Sequence, residues 1–239
     1  MRIKTEEAVF AMLEMQQFKF ESVHQTHKEN NLLAICKCLE GCKVIDLDKE
    51  IYYRARRIYE DSEGIFFRDE IPQNAFDSKG SGVAPIDNCK CGRANAPCEQ
   101  VLYVAEDIET AIKEVNTPVG MYASVATCRF DRGIKVFDFS PYSEKQLQEY
   151  IENSALSKSD AGRSQCWMFM EMQRIMTLPE YSESEYIISR ELVRIIKEQY
   201  PKVSGIKYIS HFTGGTNVAI WDDNKFVPFT EGTIVMGEF

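Results

Sequence analysis

Apolar positions recur along this chain with two periods, one helical and one extended. Ala8, Val9, Met12 and Leu13 fall on one side at helical spacing and predict an amphipathic helix over residues 5–18. The helical pattern weakens over 22–38. Strand character follows at 44–47 and at 52–58, where β-branched and aromatic residues concentrate. Residues 69–100 are rich in Asp, Gly, Pro, Asn and Cys and predict a long loop. "VLYVA" (101–105) reads as a short buried strand, and a helix begins near Asp107 with Ile108, Ala111, Ile112 and Val115 as its apolar stripe.

"MYASVATCRF" and "IKVFDF" read as strands, and Asp131-Arg132-Gly133 between them predicts a hairpin. Ser143 with Gln146, and Ser182 with Glu185, have the spacing of capping boxes. The first opens a helix to about residue 153; the second opens a long helix that stops before Pro201. Residues around 167–176 are also expected to be helical. "GIKYIS", "NVAIW" and "FVPFTEGTIVMGEF" complete the chain as strands. Strands and helices do not alternate regularly, which predicts an α+β fold with a largely antiparallel sheet. The division expected is a helical extension over 1–45 and one domain over 46–239.

Composition narrows the picture. The chain has 239 residues, enough for one large domain with its own core. Its formal net charge of −9 disfavours generic nucleic-acid binding. No apolar run is long enough to span a membrane, and the acidic N-terminal stretch is not that of a signal peptide. A cytoplasmic location is expected, so the eight cysteines read as thiols or metal ligands rather than disulfides. Cys36, Cys38 and Cys42, with His24 and His27 upstream, and Cys89, Cys91 and Cys98 form two clusters. Their spacing is not the usual C-x2-C of zinc sites, so buried or loop thiols are favoured over metal.

A few positions could carry chemistry. Glu114 lies about 110° from the centre of its helix's apolar stripe, at the border of core and solvent. A carboxylate there points into a cleft or simply into water. Strand alternation puts Tyr52, Arg54 and Arg56 on one face of "YYRAR" and Tyr53 and Ala55 on the other. Arg54 either snorkels at a sheet edge or holds an anion. Arg93 sits in the loop "CGRAN", where Gly92 permits close backbone approach and Asn95 offers an amide; this loop is a phosphate cradle or a turn. Ser210 ends a strand before "HFTGGTN". The Gly-x-Ser-x-Gly, Walker A, dinucleotide-binding and His-Glu-x-x-His patterns are missing.

Taken in order, "YYRAR", "GRAN" followed by "VLYVAEDIETAIKEV", and "SGIKYIS…GGTNVAIW" resemble the RES domain family over roughly residues 52–221. The resemblance implies an ADP-ribosyltransferase-like split sheet and an enzyme that degrades NAD+ by releasing nicotinamide. Water or inorganic phosphate would be the acceptor. It also implies the toxin of a toxin–antitoxin or phage-defence system, with an antitoxin partner covering the active site. Arg54, Glu114 and Ser210 are the best matches to the arginine, glutamate and serine that name the family. On this reading Glu114 stabilises the developing ribosyl cation. Arg54 and Arg93 grip the pyrophosphate. Tyr103 flanks the nicotinamide ring. Ser210 bonds the ribose or the amide, Asn217 supports that loop, and Asn95 is counted with Arg93 and Tyr103 among the NAD+-binding residues. A mono-ADP-ribosyltransferase and a zinc-structured or inactive interaction module are the alternatives.

Overall fold

The computed structural model describes residues 39, 43–48, 50–130, 133–140, 170, 172–177 and 186–237. The expected helices over 5–18, 22–38 and 143–153 and both capping boxes lie outside them.

An eight-stranded sheet organises the described residues. In chain order its strands are β1 (Lys43–Asp46) and β2 (Tyr52–Ile58), then β5 (Leu102–Ala105), β6 (Tyr122–Cys128) and β7 (Lys135–Asp138). The last three are β8 (Gly205–Ile209), β9 (Thr216–Ile220) and β10 (Thr233–Met236). Their spatial order is β1-β7-β8-β9-β5-β2-β6-β10. Only β7 and β8 run parallel; the other neighbours are antiparallel. A two-residue hairpin, β3 (Phe67–Arg68) with β4 (Ile71–Pro72), interrupts the long loop. Its turn residues Asp69 and Glu70 both take positive φ, 50° and 66°, which matches the right-handed twist of paired strands. The fold is therefore α+β and mostly antiparallel, as expected.

One expectation fails. β6 and β7 do not form a hairpin across Asp131-Arg132-Gly133. β6 pairs with β2 and β10, and β7 pairs with β1 and β8. A strand has two edges, and long-range partners occupy both edges of each. Followed through the pairings, β6 and β7 run in the same direction, which no hairpin allows.

The sheet is split near its middle. β2 and β6 match over seven residue pairs, from Tyr52–Cys128 to Ile58–Tyr122. β2 and β5 match at a single pair, Tyr53–Ala105. Helix α1 (Ile108–Glu114) packs Ala111 and Ile112 against Ala55, Ala105 and Val125 on one side of the split. Helix α2 (Tyr186–Gln199) packs Leu192, Val193 and Ile196 against Phe137, Ile206 and Ala219 on the other. Met172, Ile175 and Met176, from helical residues 172–177, join that second cluster. The opposite face buries Tyr52, Leu102, Val104, Val136, Val218 and Ile220. Both helices thus lie on one face, with an opening between them over β5 and β9.

The start of α1 is fixed by Asp107, which accepts from the Thr110 amide at 2.7 Å and from the Thr110 hydroxyl at 2.8 Å. Thr110 Oγ1 also meets Thr213 Oγ1 at 2.7 Å, tying the Gly-Gly loop to the helix start. Gly215 lies against this cap: a Cβ there would sit 2.0 Å from Thr110 Oγ1 and 2.7 Å from Asp107 Oδ2. Gly215→Ala is expected to destabilise the protein by about 2–3 kcal/mol, through overpacking and loss of the cap. Urea denaturation followed by circular dichroism measures it. An unchanged midpoint would mean that the cap is not under this constraint.

Candidate active site

A cavity of about 270 Å³ opens at the split. Its floor and walls come from β2 (Tyr53, Arg54, Ala55), β5 (Tyr103, Val104, Ala105), α1 with the residue that ends it (Ala111, Glu114 and Val115) and Tyr208 with Asn217. Gly92 and Arg93 close one side. Segments distant in the chain are thus brought to one concave surface, the usual setting of a ligand site.

Glu114 stands in the last turn of α1, at the rim, and is exposed overall. One carboxylate oxygen is tied down: the Asn217 side-chain amide donates to Oε1 at 2.6 Å. Asn217 is itself 4% exposed, so it is a rigid donor. The helix end is held from below as well, because Arg57 Nε donates to the Val115 carbonyl. That bond satisfies one of the carbonyls a helix leaves unpaired, with a cation at its negative end.

Arg54 has the most unusual surroundings. Strand alternation places it opposite Ala126, on the face of Tyr52 and away from Glu114. The split lets its side chain reach the cavity nonetheless. Nη1 donates to the Tyr103 carbonyl at 3.1 Å, where a continuous β2–β5 ladder would have placed a backbone amide. Its Nε is buried with no hydrogen-bond partner. Burial, reinforced by the neighbouring Arg56 charge, lowers its pKa from 12.5 to about 10. Arg54 is therefore still a cation at neutral pH, poorly solvated and with an open donor. Cys128 lies behind it, and burial pushes that thiol up to about 12, so it stays protonated.

Arg93 is anchored differently. Nη1 donates to the Ile175 carbonyl at 2.9 Å, and the guanidinium lies 5.2 Å from the centre of the Tyr208 ring. The loop beneath it is organised by Asn95, which is buried and does not line the cavity. Asn95 Nδ2 donates to the carbonyls of Lys90, Ala96 and Glu99 at 2.7, 3.0 and 3.1 Å. Its Oδ1 accepts from the Tyr103 hydroxyl at 2.8 Å, and that hydroxyl accepts from the Ala94 amide at 2.9 Å. Tyr103 therefore stands in the cavity wall with its ring orientation locked. Gly92 is required beside it, since a Cβ there would fall 2.6 Å from Asn95 Oδ1 and 2.7 Å from the tyrosine hydroxyl.

Ser210 is buried but does not line the cavity. Its Oγ accepts from the Phe212 amide at 3.2 Å, and its backbone bonds Gly214 and Gly215, so it shapes the 210–215 turn. Of the residues expected from sequence, the cavity therefore gathers Arg54, Arg93, Tyr103, Glu114 and Asn217, and leaves Ser210 and Asn95 beside it. Two aromatic wall residues escaped the sequence reading, Tyr53 and Tyr208. Tyr208 was within reach of it, lying in the strand "GIKYIS" opposite Asn217.

The RES domain family matches residues 68–233. The chain belongs to the RES domain family. The matched stretch of this RES domain holds Arg93, Tyr103, Glu114, Ser210 and Asn217, and begins beyond Arg54. Arg54's place in the site thus rests on geometry. No curated protein matches the chain. Among solved structures, it is similar to a chain of the crystal structure of the M. tuberculosis MbcT–MbcA toxin–antitoxin complex. That likeness has 11% identity, covers 85% of this chain and 92% of the other, and has a TM-score of 0.41.

Among the described residues, no group of three or more His, Cys, Asp or Glu side chains is placed to hold a metal ion. Cys36, Cys38, Cys42, His24 and His27 lie outside them. No described helix is long and apolar enough to cross a membrane.

Proposed function

We propose that this RES domain degrades NAD+ by cleaving the bond between nicotinamide and ribose. The observation that carries the reading is one cavity lined by a partly desolvated, incompletely bonded Arg54 cation and a fixed Glu114 carboxylate. A dinucleotide presents the complementary charges. Its pyrophosphate is an anion suited to Arg54 and Arg93, whose forked donors match phosphate oxygens. Its nicotinamide-ribose bond develops positive charge on the ribose as it breaks, and Glu114 is held to oppose that charge. The pyridinium ring leaves as neutral nicotinamide, taking the bonding electrons. The ribosyl cation is then captured by water, giving ADP-ribose, or by inorganic phosphate, giving ADP-ribose-1″-phosphate. The Tyr103, Tyr53 and Tyr208 rings offer flat apolar walls for the bases.

Depletion of NAD+ makes such an enzyme a toxin. We propose that a partner antitoxin restrains it by covering the mouth of the cavity. The test is product identification by liquid chromatography after incubating the purified chain with NAD+, with and without phosphate. Nicotinamide release is expected, together with one of the two ADP-ribose products. Intact NAD+ after prolonged incubation would overturn the reading. ADP-ribose attached to an added protein or nucleotide would instead mark a transferase.

A further inference from the structure

The loop that carries Arg93 is held from outside the cavity by α2. Lys197, on α2 and absent from the cavity lining, donates to the Ala94 carbonyl at 3.2 Å. It also pairs with the Glu99 carboxylate and sits 5.3 Å from the centre of the Trp221 ring. The other oxygen of Glu99 accepts from the Ala96 amide at 2.9 Å. The Lys197 ammonium thus closes both ends of the turn around Asn95: its start through Ala94, its end through Glu99. The lysine side chain is partly buried, 22% exposed, while its Glu99 partner is 41% exposed, so the clamp rests on the ammonium's contacts with both Ala94 and Glu99 rather than on the ion pair alone.

Arg93 directly precedes Ala94. The Ala94 amide bonds the Tyr103 hydroxyl, so the same residue that Lys197 grips by its carbonyl also locks the tyrosine. Without the ammonium, the Ala94 carbonyl and the Glu99 carboxylate each lose a charge-assisted partner, and the turn loses its attachment to α2. Arg190, also on α2, places Nη1 2.8 Å from Cys91 Sγ. It holds the segment preceding Arg93 rather than the one following it.

We propose that Lys197 is a positioning residue for dinucleotide binding, acting through Glu99 and Ala94 to hold Arg93 and Tyr103 in the cavity wall. This rests on the reading of NAD+ as substrate. Since Lys197 does not reach the cavity, its removal is expected to weaken ground-state and transition-state binding alike. That signature is a raised KM with kcat kept.

The test compares Lys197→Met, Lys197→Arg and Glu99→Gln with the unmodified chain, by steady-state NAD+ consumption and by amide hydrogen exchange. Lys197→Met is expected to raise KM for NAD+ roughly tenfold, the effect of losing one hydrogen bond to a charged group, with kcat within about twofold. Exchange is expected to rise over residues 90–100 and not in the sheet. Lys197→Arg should restore most of the affinity. Glu99→Gln should move KM in the same direction, and the double variant should be no worse than the Met variant alone. If Lys197→Met does not fold, the Glu99→Gln variant carries the test. An unchanged KM with unchanged exchange over 90–100 overturns the proposal, as does a fall in kcat alone. Hydrogen exchange needs no substrate. A loop that loosens in a protein whose unmodified form leaves NAD+ intact would therefore refute the substrate reading while upholding the clamp.

Discussion

Glu114→Gln is expected to lower kcat for NAD+ consumption by about 10²–10³, with KM altered by less than about threefold. Glutamine has the same reach, and its carbonyl can still accept from the Asn217 amide that now bonds Oε1 at 2.6 Å. The geometry of the rim is kept and only the charge is removed. The rate effect follows from where that charge acts. It is not opposed by a cation in the ground state of the nicotinamide-ribose bond as strongly as it is in the transition state, when the ribose itself becomes positive. Because Glu114 is exposed at the rim, its replacement should leave thermal stability nearly unchanged. Nicotinamide release followed by chromatography measures kcat. A variant as fast as the parent would remove Glu114 from the chemistry and take the glycosidic mechanism with it.

Arg54→Met should separate stability from activity. The shift of Arg54 from 12.5 to about 10 corresponds to roughly 3 kcal/mol opposing the folded, charged form at neutral pH. The sign is that of a base with a depressed folded pKa. The penalty is present in full below pH 10 and disappears as pH rises through the unfolded value. Methionine carries no charge and fills a similar volume, so it relieves this penalty. It also leaves the Tyr103 carbonyl without its donor, which offsets part of the gain. The net expectation is a melting temperature unchanged or raised by up to about 4 °C.

Activity should move the other way. Losing a desolvated guanidinium that meets the pyrophosphate is expected to reduce kcat/KM for NAD+ by about 10²-fold or more. Differential scanning fluorimetry and initial rates on one preparation check both halves. A strongly destabilised variant would show that Arg54 is a structural plug for the split. A stable, fully active one would show that it does not touch the substrate. Stability gained at the expense of activity is the pattern expected of a site built to receive a ligand.

Local patterns foretold more of the fold than of the site. The seven residues of β2 and the core strand before α1 follow from alternation and from aromatic and β-branched content. The position of Glu114 at the core-solvent border follows from the helical period, and its exposed place on the rim agrees with that geometry. Alternation also places Arg54 on the face of Tyr52, and Tyr52 and the Arg54 partner Ala126 pack in the cluster on the side away from α1. What periodicity does not contain is the gap beside it. The single β2–β5 pair, and the reach of a long side chain through that gap, depend on how two halves of a sheet meet. The β6–β7 hairpin failed for a related reason: a turn signal is local, while edge occupancy is decided by strands far away in the chain.

By itself the sequence determined the α+β class, most strand positions, the short helix bearing Glu114 and the glycine-flanked loop bearing Arg93, because each depends on backbone preferences within about a dozen residues. Tertiary structure alone decided that Asn217 holds Glu114, 103 residues away. It also decided that Arg54 is left with an open donor in a buried place and that Lys197 reaches the loop from another helix. Those facts concern which distant groups lose water together. No stretch of sequence short enough to read as a pattern records that.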